Sequence, residues 1–228
     1  MYEAFFEMKH LPFMNGIPAD ELYLSSMLDE TLGRLEFAAE RKLFAVLTAD
    51  VGCGKTTAVR KFAATLEQEK YHILYLSDSK LTPRWFYKGL LDQFGIESKF
   101  YRGDAKRQLH QQLEVIRGVY GKTVVTIVDE AHLLAKDTLE EIRFLLNYKM
   151  DSMNPMSLIL VGQNELWDKL KLQNYAAIRQ RIDLKCELPQ YDRAQTGEYI
   201  LSHLNYAGGV TDIFTDKALD EIYKYSAG

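Results

Sequence analysis

Residues 48–57 read TADVGCGKTT. The apolar run LFAVLT (43–48) precedes them, and KTTAVRKFAATLEQE, a helix-competent stretch, follows. A buried strand, a glycine-rich turn and a helix in that order make a cradle for phosphate. Successive backbone N–H groups and the helix N-terminus then face one anion. The pattern for such a loop is G-x-x-x-x-G-K-[ST], and here Ala49 stands where the first glycine is expected. Ala49 closes the strand, farther from the phosphates than Gly52 and Gly54, so its methyl is a modest demand while φ stays negative. Gly52 and Gly54 allow the positive φ and close approach of the turn. The N–H groups of Val51, Gly52, Cys53, Gly54 and Lys55 are expected to point at phosphate oxygens, with Thr57 beside them. Lys55 would neutralise the β- and γ-phosphates, and Thr56 would offer its hydroxyl to Mg²⁺. The expected ligands are therefore ATP and Mg²⁺.

Composition bounds the rest. The 228 residues suit one large domain or a core with a small appendage, and 47% hydrophobic with 26% charged residues is ordinary for a globular chain. No apolar run approaches the roughly 18 residues that cross a bilayer, so no membrane partner is expected. The start, MYEAFFEMKHLPF, carries acids and no long apolar stretch, unlike a secretion signal. Cys53 and Cys186 stand alone in different contexts, which predicts a reducing, cytoplasmic setting rather than a disulfide framework. A net charge of −4 argues against wholesale coating of nucleic acid but leaves room for a local basic patch.

Apolar runs alternate with amphipathic stretches along the chain. Besides 43–48, HILYLS (72–77), TVVTIVDE (123–130) and MSLILVG (156–162) read as buried parallel strands, and DLKCELP (183–189) as a weaker fifth. Helices fit at 26–41, 54–70, 82–94, 104–120, 137–150 and 164–180, the last broken near Asn174. Asp137 and Glu140 suggest a capping box before LEEIRFLL. After Pro189 the pattern turns helical only, at 191–206 and 215–226. The expected organisation is an adapter over 1–42, an α/β core over 43–190 and a small helical lid over 191–228.

Asp129 and Glu130 end the run VVTIV. A carboxylate after such a run is costly to bury unless it meets a cation or water. Asp129 suits a Mg²⁺ ligand, direct or through water, and Glu130 suits the base that orients or deprotonates an attacking water. His132 completes DEAH, as a coupling or a packing residue. Gln163 lies just past the fourth strand's C-terminal end, where ligands of parallel sheets sit; its amide can reach the γ-phosphate or the water. For Asn164 helix capping is the expectation. Arg179 and Arg181, in AAIRQRIDL, either end a helix in solvent or act on the transition state from a neighbouring subunit, Arg181 being the first choice.

Taken together, the loop at 49–56, the acidic motif at 125–130, a polar residue at 163, arginines at 179–181 and a helical lid resemble the AAA+ ATPases. MYEAFFEMKHLPF…YLS, IVDEAH, LILVGQNEL and IRQRIDLKCELP narrow the likeness to the ExeA/GspA-like ATPases and the TniB/TnsC-type transposition helpers. The resemblance implies a three-layer α/β/α P-loop NTPase with a parallel five-stranded sheet, order 5-1-4-3-2. It also implies nucleotide at subunit boundaries of an ATP-dependent ring or helical filament. In the transposition helpers that assembly forms on double-stranded DNA and regulates a DDE transposase; the ExeA type serves secretion. The absence of a spanning segment favours the transposition reading. The chain stops at YKYSAG, before the sensor 2 arginine the resemblance puts on the lid, so an apparently truncated lid and weak hydrolysis are expected.

A basic stretch offers the DNA contact. Residues 80–107 hold seven basic side chains against three acidic ones, interleaved with Trp85, Phe86, Tyr87, Phe100 and Tyr101. Lys80, Arg84, Arg102 and Lys106 are the candidates, with binding that is salt-dependent and indifferent to sequence. Three functions remain open: a DNA-assembled ATPase regulating a transposase, a secretion-associated ATPase, and an ATP-gated switch with little turnover.

Overall fold

A computed structural model describes residues 2–78, 81–147 and 154–226. Its elements run α1 (Tyr2–Phe5), α2 (Ser26–Arg41), β1 (Phe44–Ala49), α3 (Lys55–Thr65), β2 (Tyr71–Leu76), α4 (Pro83–Gln93), α5 (Arg102–Gly118), β3 (Thr123–Val128) and α6 (Lys136–Leu146). Then follow β4 (Ser157–Gly162), α7 (Asn164–Lys171), α8 (Ala176–Arg179), β5 (Leu184–Leu188), α9 (Arg193–Ala207) and α10 (Asp216–Ser226). The strands form one parallel sheet in the order β2-β3-β4-β1-β5, as the resemblance implies.

Alternation along β1 fills both faces of this sheet. Phe44 and Val46 join one apolar cluster with Phe86, Leu109, Ile142 and Leu166 from α4, α5, α6 and α7. Ala45, Leu47 and Ala49 join the other, with Leu32, Leu35, Val59 and Phe62 from α2 and α3. Three layers result, and every residue of β1 and β4 is buried. The outer strands β2 and β5 are only partly so, because each has one neighbour.

Local chemistry sets the helix ends, with two departures from expectation. Ser25 caps α2 by accepting the Leu28 N–H at 3.2 Å. The Asp137–Glu140 capping box does not form: α6 starts at Lys136 after Ala135, which puts Asp137 inside the first turn. A cap needs extended backbone at its own position, and Glu140 instead accepts from Arg143 Nε at 2.9 Å. A capping box does form at Asp192 and Gln195, opening α9. The stretch 164–180 breaks as expected, into α7, a 3-10 turn at Gln173–Tyr175 and α8. The end of the helix expected to reach residue 150 lies outside the described residues.

The segment before α2 is tied down by α3. Arg60 donates to the carbonyls of Asn15, at 2.5 Å, and Ile17. Lys61 donates to those of Ala19 and Leu22, both at 3.1 Å. Farther back, the Lys9 and His10 N–H groups meet the carbonyl of Ala207 at the end of α9. Replacing Arg60 and Lys61 together by alanine should therefore accelerate proteolytic cleavage between residues 9 and 22. The thermal midpoint should fall by only a few degrees, about 1–2 kcal/mol for hydrogen bonds that are mostly only part-buried. Cleavage at the wild-type rate in a timed limited-proteolysis series would refute this role.

Candidate nucleotide site

Strand order brings the motifs together. Register pairs Thr48 of β1 with Gly162 of β4, and Leu160 of β4 with Val128 of β3. The loops that leave these strands therefore open side by side. They carry Asp50–Gly54, Gln163 and Asp129–Glu130.

In the first loop Gly52 and Gly54 take φ of 85° and 76°. Gly54 stands at the N-cap of α3 without a side-chain cap, so the first N–H groups of that helix stay open to an anion. Ala49 is buried and keeps a negative φ, pairing with Leu188 across β5; its methyl fits, as expected. Lys55 Nζ donates to the carbonyls of Ala49 at 3.1 Å and Asp50 at 2.8 Å. The loop is thus held in shape by its own cation. The Cys53 N–H meets the Asp50 carbonyl at 3.3 Å, a weak turn bond rather than an open donor. Burial first, then the Asp50 charge, pushes the Cys53 thiol up.

The acidic motif is built just as tightly. Asp129 is 4% exposed. Its Oδ1 accepts the Glu130 N–H at 2.8 Å, and its Oδ2 accepts the Tyr75 hydroxyl at 2.7 Å. Glu130 occupies the left-handed region at φ 51°, ψ 30°, which costs a non-glycine residue about 1 kcal/mol. The Glu130 side chain is 42% exposed. His132 Nδ1 accepts the Gln163 N–H at 3.4 Å and lies 3.6 Å from Glu130 Oε2. Lys169 on α7 donates to the carbonyls of His132, at 3.1 Å, and Leu134, at 2.7 Å. Its pKa is lowered by burial.

Asn164 departs from its expected part. Gln163, not Asn164, is the N-cap position of α7, and its side chain makes no cap bond. Asn164 Nδ2 donates to Asp50 Oδ1 at 2.6 Å, tying β4's exit to the phosphate loop. Sequence reasoning missed this bond, together with Tyr75 and Lys169. Arg179 donates to the Lys171 carbonyl at 2.6 Å, closing α7 in its own chain. Arg181 is half-buried in the turn between α8 and β5.

Of the four basic candidates, Lys80 lies outside the described residues. Arg84 stacks over Phe100, 4.3 Å from the ring centre. Arg102 and Lys106 turn to Glu141 on α6, at 3.3 and 3.7 Å. That carboxylate is 6% exposed and also accepts the Tyr87 hydroxyl at 2.7 Å.

A cavity of about 820 Å³ adjoins the loop. Gly52, Gly54, Thr56 and Thr57 form its floor, and the segment before α2 and the helices α9 and α10 form its walls. Phe13 stacks on His203 at 5.1 Å and 11° while its N–H donates to His203 Nδ1 at 3.2 Å. Tyr23 stands edge-on to Tyr191 and donates to Glu198 at 2.6 Å. An aromatic base with a phosphate tail matches this pairing of ring-lined walls with an amide-lined floor. The Thr56 hydroxyl and the Asp129 carboxylate are the hard oxygen donors that Mg²⁺ takes beside nucleotide phosphates. Among the described residues no three His, Cys, Asp or Glu side chains converge as a metal cage.

Residues 38–170 match the family model described as "AAA domain". Across its whole length the chain is 32% identical, over 235 aligned residues, to General secretion pathway protein A of Aeromonas hydrophila, and it covers 42% of that protein. Among solved structures, Cdc6p of Pyrobaculum aerophilum aligns with a TM-score of 0.66 at 15% identity, covering 96% of this chain and 57% of that one. The ORC1 protein of Aeropyrum pernix, solved in complex with DNA, gives 0.61 at 14% identity, covering 83% and 52%. At such identities the likeness shows the fold alone.

The strain at Glu130 is measurable. Glu130→Gly should unfold at higher denaturant than Glu130→Gln, by about 0.5–1 kcal/mol, because only glycine takes this φ freely. Equal midpoints for the two variants would contradict a strained position.

Proposed function

The chain belongs to the AAA domain family, and from that premise we propose that it binds ATP with Mg²⁺ and hydrolyses the γ-phosphate as the nucleotide-driven part of a secretion-associated assembly. One observation carries the nucleotide chemistry: the phosphate loop after β1 and the Asp129–Glu130 pair after β3 leave the same end of one parallel sheet, with only β4 and Gln163 between them, and the phosphate loop also floors the cavity. In this reading Lys55 exchanges its bonds to loop carbonyls for phosphate oxygens. Thr56 and Asp129 hold Mg²⁺, which screens phosphate charge. Glu130 orients the attacking water and takes its proton, and Gln163 reaches the same water or the γ-phosphate. The ring-lined walls hold the base, so nucleotide draws α9 and α10 toward the loop. Arg181 acts on the site of a neighbouring copy in an ATP-dependent ring or filament; Arg179 donates to the Lys171 carbonyl of its own chain.

The secretion setting draws on the full-length identity to General secretion pathway protein A. Among the described residues no helix is long and apolar enough to cross a membrane. The chain spans 42% of that relative, so the missing span no longer weighs for the transposition reading. Assembly on double-stranded DNA to regulate a DDE transposase rests on the motif resemblance and on the basic stretch, where a DNA phosphate must compete with Glu141 for Arg102 and Lys106.

Calorimetry and a phosphate-release assay test the proposal. Wild-type chain should take up ATP. Lys55→Ala should lose that uptake. Glu130→Gln should keep it and lose turnover by about a hundredfold or more. Rates measured with and without duplex DNA, at low and high salt, separate the two settings: a DNA-stimulated, salt-sensitive rate would sink the secretion reading. Turnover that survives Glu130→Gln would sink the hydrolytic role.

A further inference from the structure

β2 is an edge of the sheet, and its exposed side is closed at one residue by a side chain. Leu76 turns its carbonyl toward β3, where it accepts the Asp129 N–H at 2.7 Å. Tyr75, one step earlier, faces its backbone groups the other way. The Gln93 carboxamide takes both: Oε1 accepts the Tyr75 N–H at 2.9 Å, and Nε2 donates to the Tyr75 carbonyl at 3.0 Å. Gln93 thus stands in for a missing neighbouring strand at this one position. Nε2 also meets the Gly89 carbonyl at 3.2 Å, which fixes the amide against its own helix. The close approach of α4 to β2 depends on Gly89, where a Cβ would lie 2.8 Å from a Leu76 methyl.

The far end of Tyr75 reaches the candidate metal site. Its hydroxyl donates to Asp129 Oδ2 at 2.7 Å, while Oδ1 is held by the Glu130 N–H. One lone-pair direction on each oxygen is therefore used, and the others remain for a metal ion or its water. A carboxylate with both oxygens anchored keeps one orientation, and hydrogen-bonded partners of a metal ligand govern its affinity.

We propose that Tyr75 is a positioning residue for the magnesium-binding carboxylate of Asp129, and that Gln93 sets Tyr75 for this task. The proposal rests on the nucleotide reading above. Helix α4 is then the outer end of a chain of contacts, Gln93–Tyr75–Asp129, that ends at the metal.

The test separates positioning from mere stability. Tyr75→Phe keeps the ring and removes the one hydroxyl. Mn²⁺ serves as the probe, titrated by electron paramagnetic resonance into protein saturated with a non-hydrolysable ATP analogue. Tyr75→Phe should weaken Mn²⁺ about tenfold, and Gln93→Ala should weaken it in the same direction by less. ATP affinity in EDTA should stay within about twofold of wild type for both, since neither residue is in the phosphate loop. The Mg²⁺ concentration for half-maximal hydrolysis should rise in step with the loss of Mn²⁺ affinity. Unchanged Mn²⁺ affinity in Tyr75→Phe, with wild-type ATP binding intact, would overturn this proposal alone; so would an equal loss of nucleotide with and without metal. Failure of the wild-type chain to bind ATP would overturn the nucleotide reading and this proposal together.

Discussion

β1 is shut off from water along its whole length. It can be so because β4 and β5 pair with its two edges and helices cover both its faces. A buried strand leaves no backbone group to spare until it ends. At Ala49 and Asp50 that constraint lifts, and both carbonyls turn to Lys55. The same holds at Val128, where the chain passes from apolar cover into Asp129. The site is therefore where three covered strands run out side by side. Its polar groups cluster because the sheet leaves them nowhere else to go.

The second requirement is a wall. The ends of β1, β3 and β4 offer a floor for phosphate but nothing for a base. That part comes from residues distant in sequence. Phe13 and Tyr23 arrive before the sheet begins, and their partners after it is complete: Phe13 stacks on His203 and donates to it, while Tyr23 stands edge-on to Tyr191 and donates to Glu198. Arg60 and Lys61 sit one to two turns beyond the phosphate loop and grip the early segment by its carbonyls. A shift of α3 is thus carried directly into that wall. Burial depresses the His203 pKa and raises that of Tyr199, which favours the uncharged form of both rings.

Strand positions were legible because parallel strands buried on both faces must be continuous apolar runs, and four such runs stand out; DLKCELP, at the sheet's edge, alternates instead and reads as a weaker fifth. Their order was not in the residues; it came through the family likeness, since nothing in a run says which neighbour it takes. The phosphate loop and Asp129–Glu130 were legible because their chemistry is local. Tyr75, Asn164 and Lys169 were not, since each acts on a backbone or carboxylate brought near only by the fold. The capping box at Asp192 carried a readable signal, Asp-x-x-Gln before an apolar stretch. The one expected at Asp137 failed because the helix began two residues earlier than a cap there requires. Helix periodicity does not fix a start to that precision.

The basic stretch marks a different limit. Seven cations against three acids over residues 80–107 suggests a positive surface, but a count along the chain ignores what folds against it. Lys88 and Arg107 are held by Asp92 and Asp104 of the same stretch. Arg102 and Lys106 meet Glu141, which lies outside the stretch and is nearly buried. Without those cations Glu141 would be a carboxylate facing an apolar layer with one tyrosine hydroxyl for company, a costly state. Their first task is therefore inside the molecule, joining α5 to α6. What remains outward is an aromatic ridge, Trp85, Phe100 and Tyr101, with Arg84 laid across one ring. Such a face favours a partner that offers flat or apolar surface over one that offers charge alone.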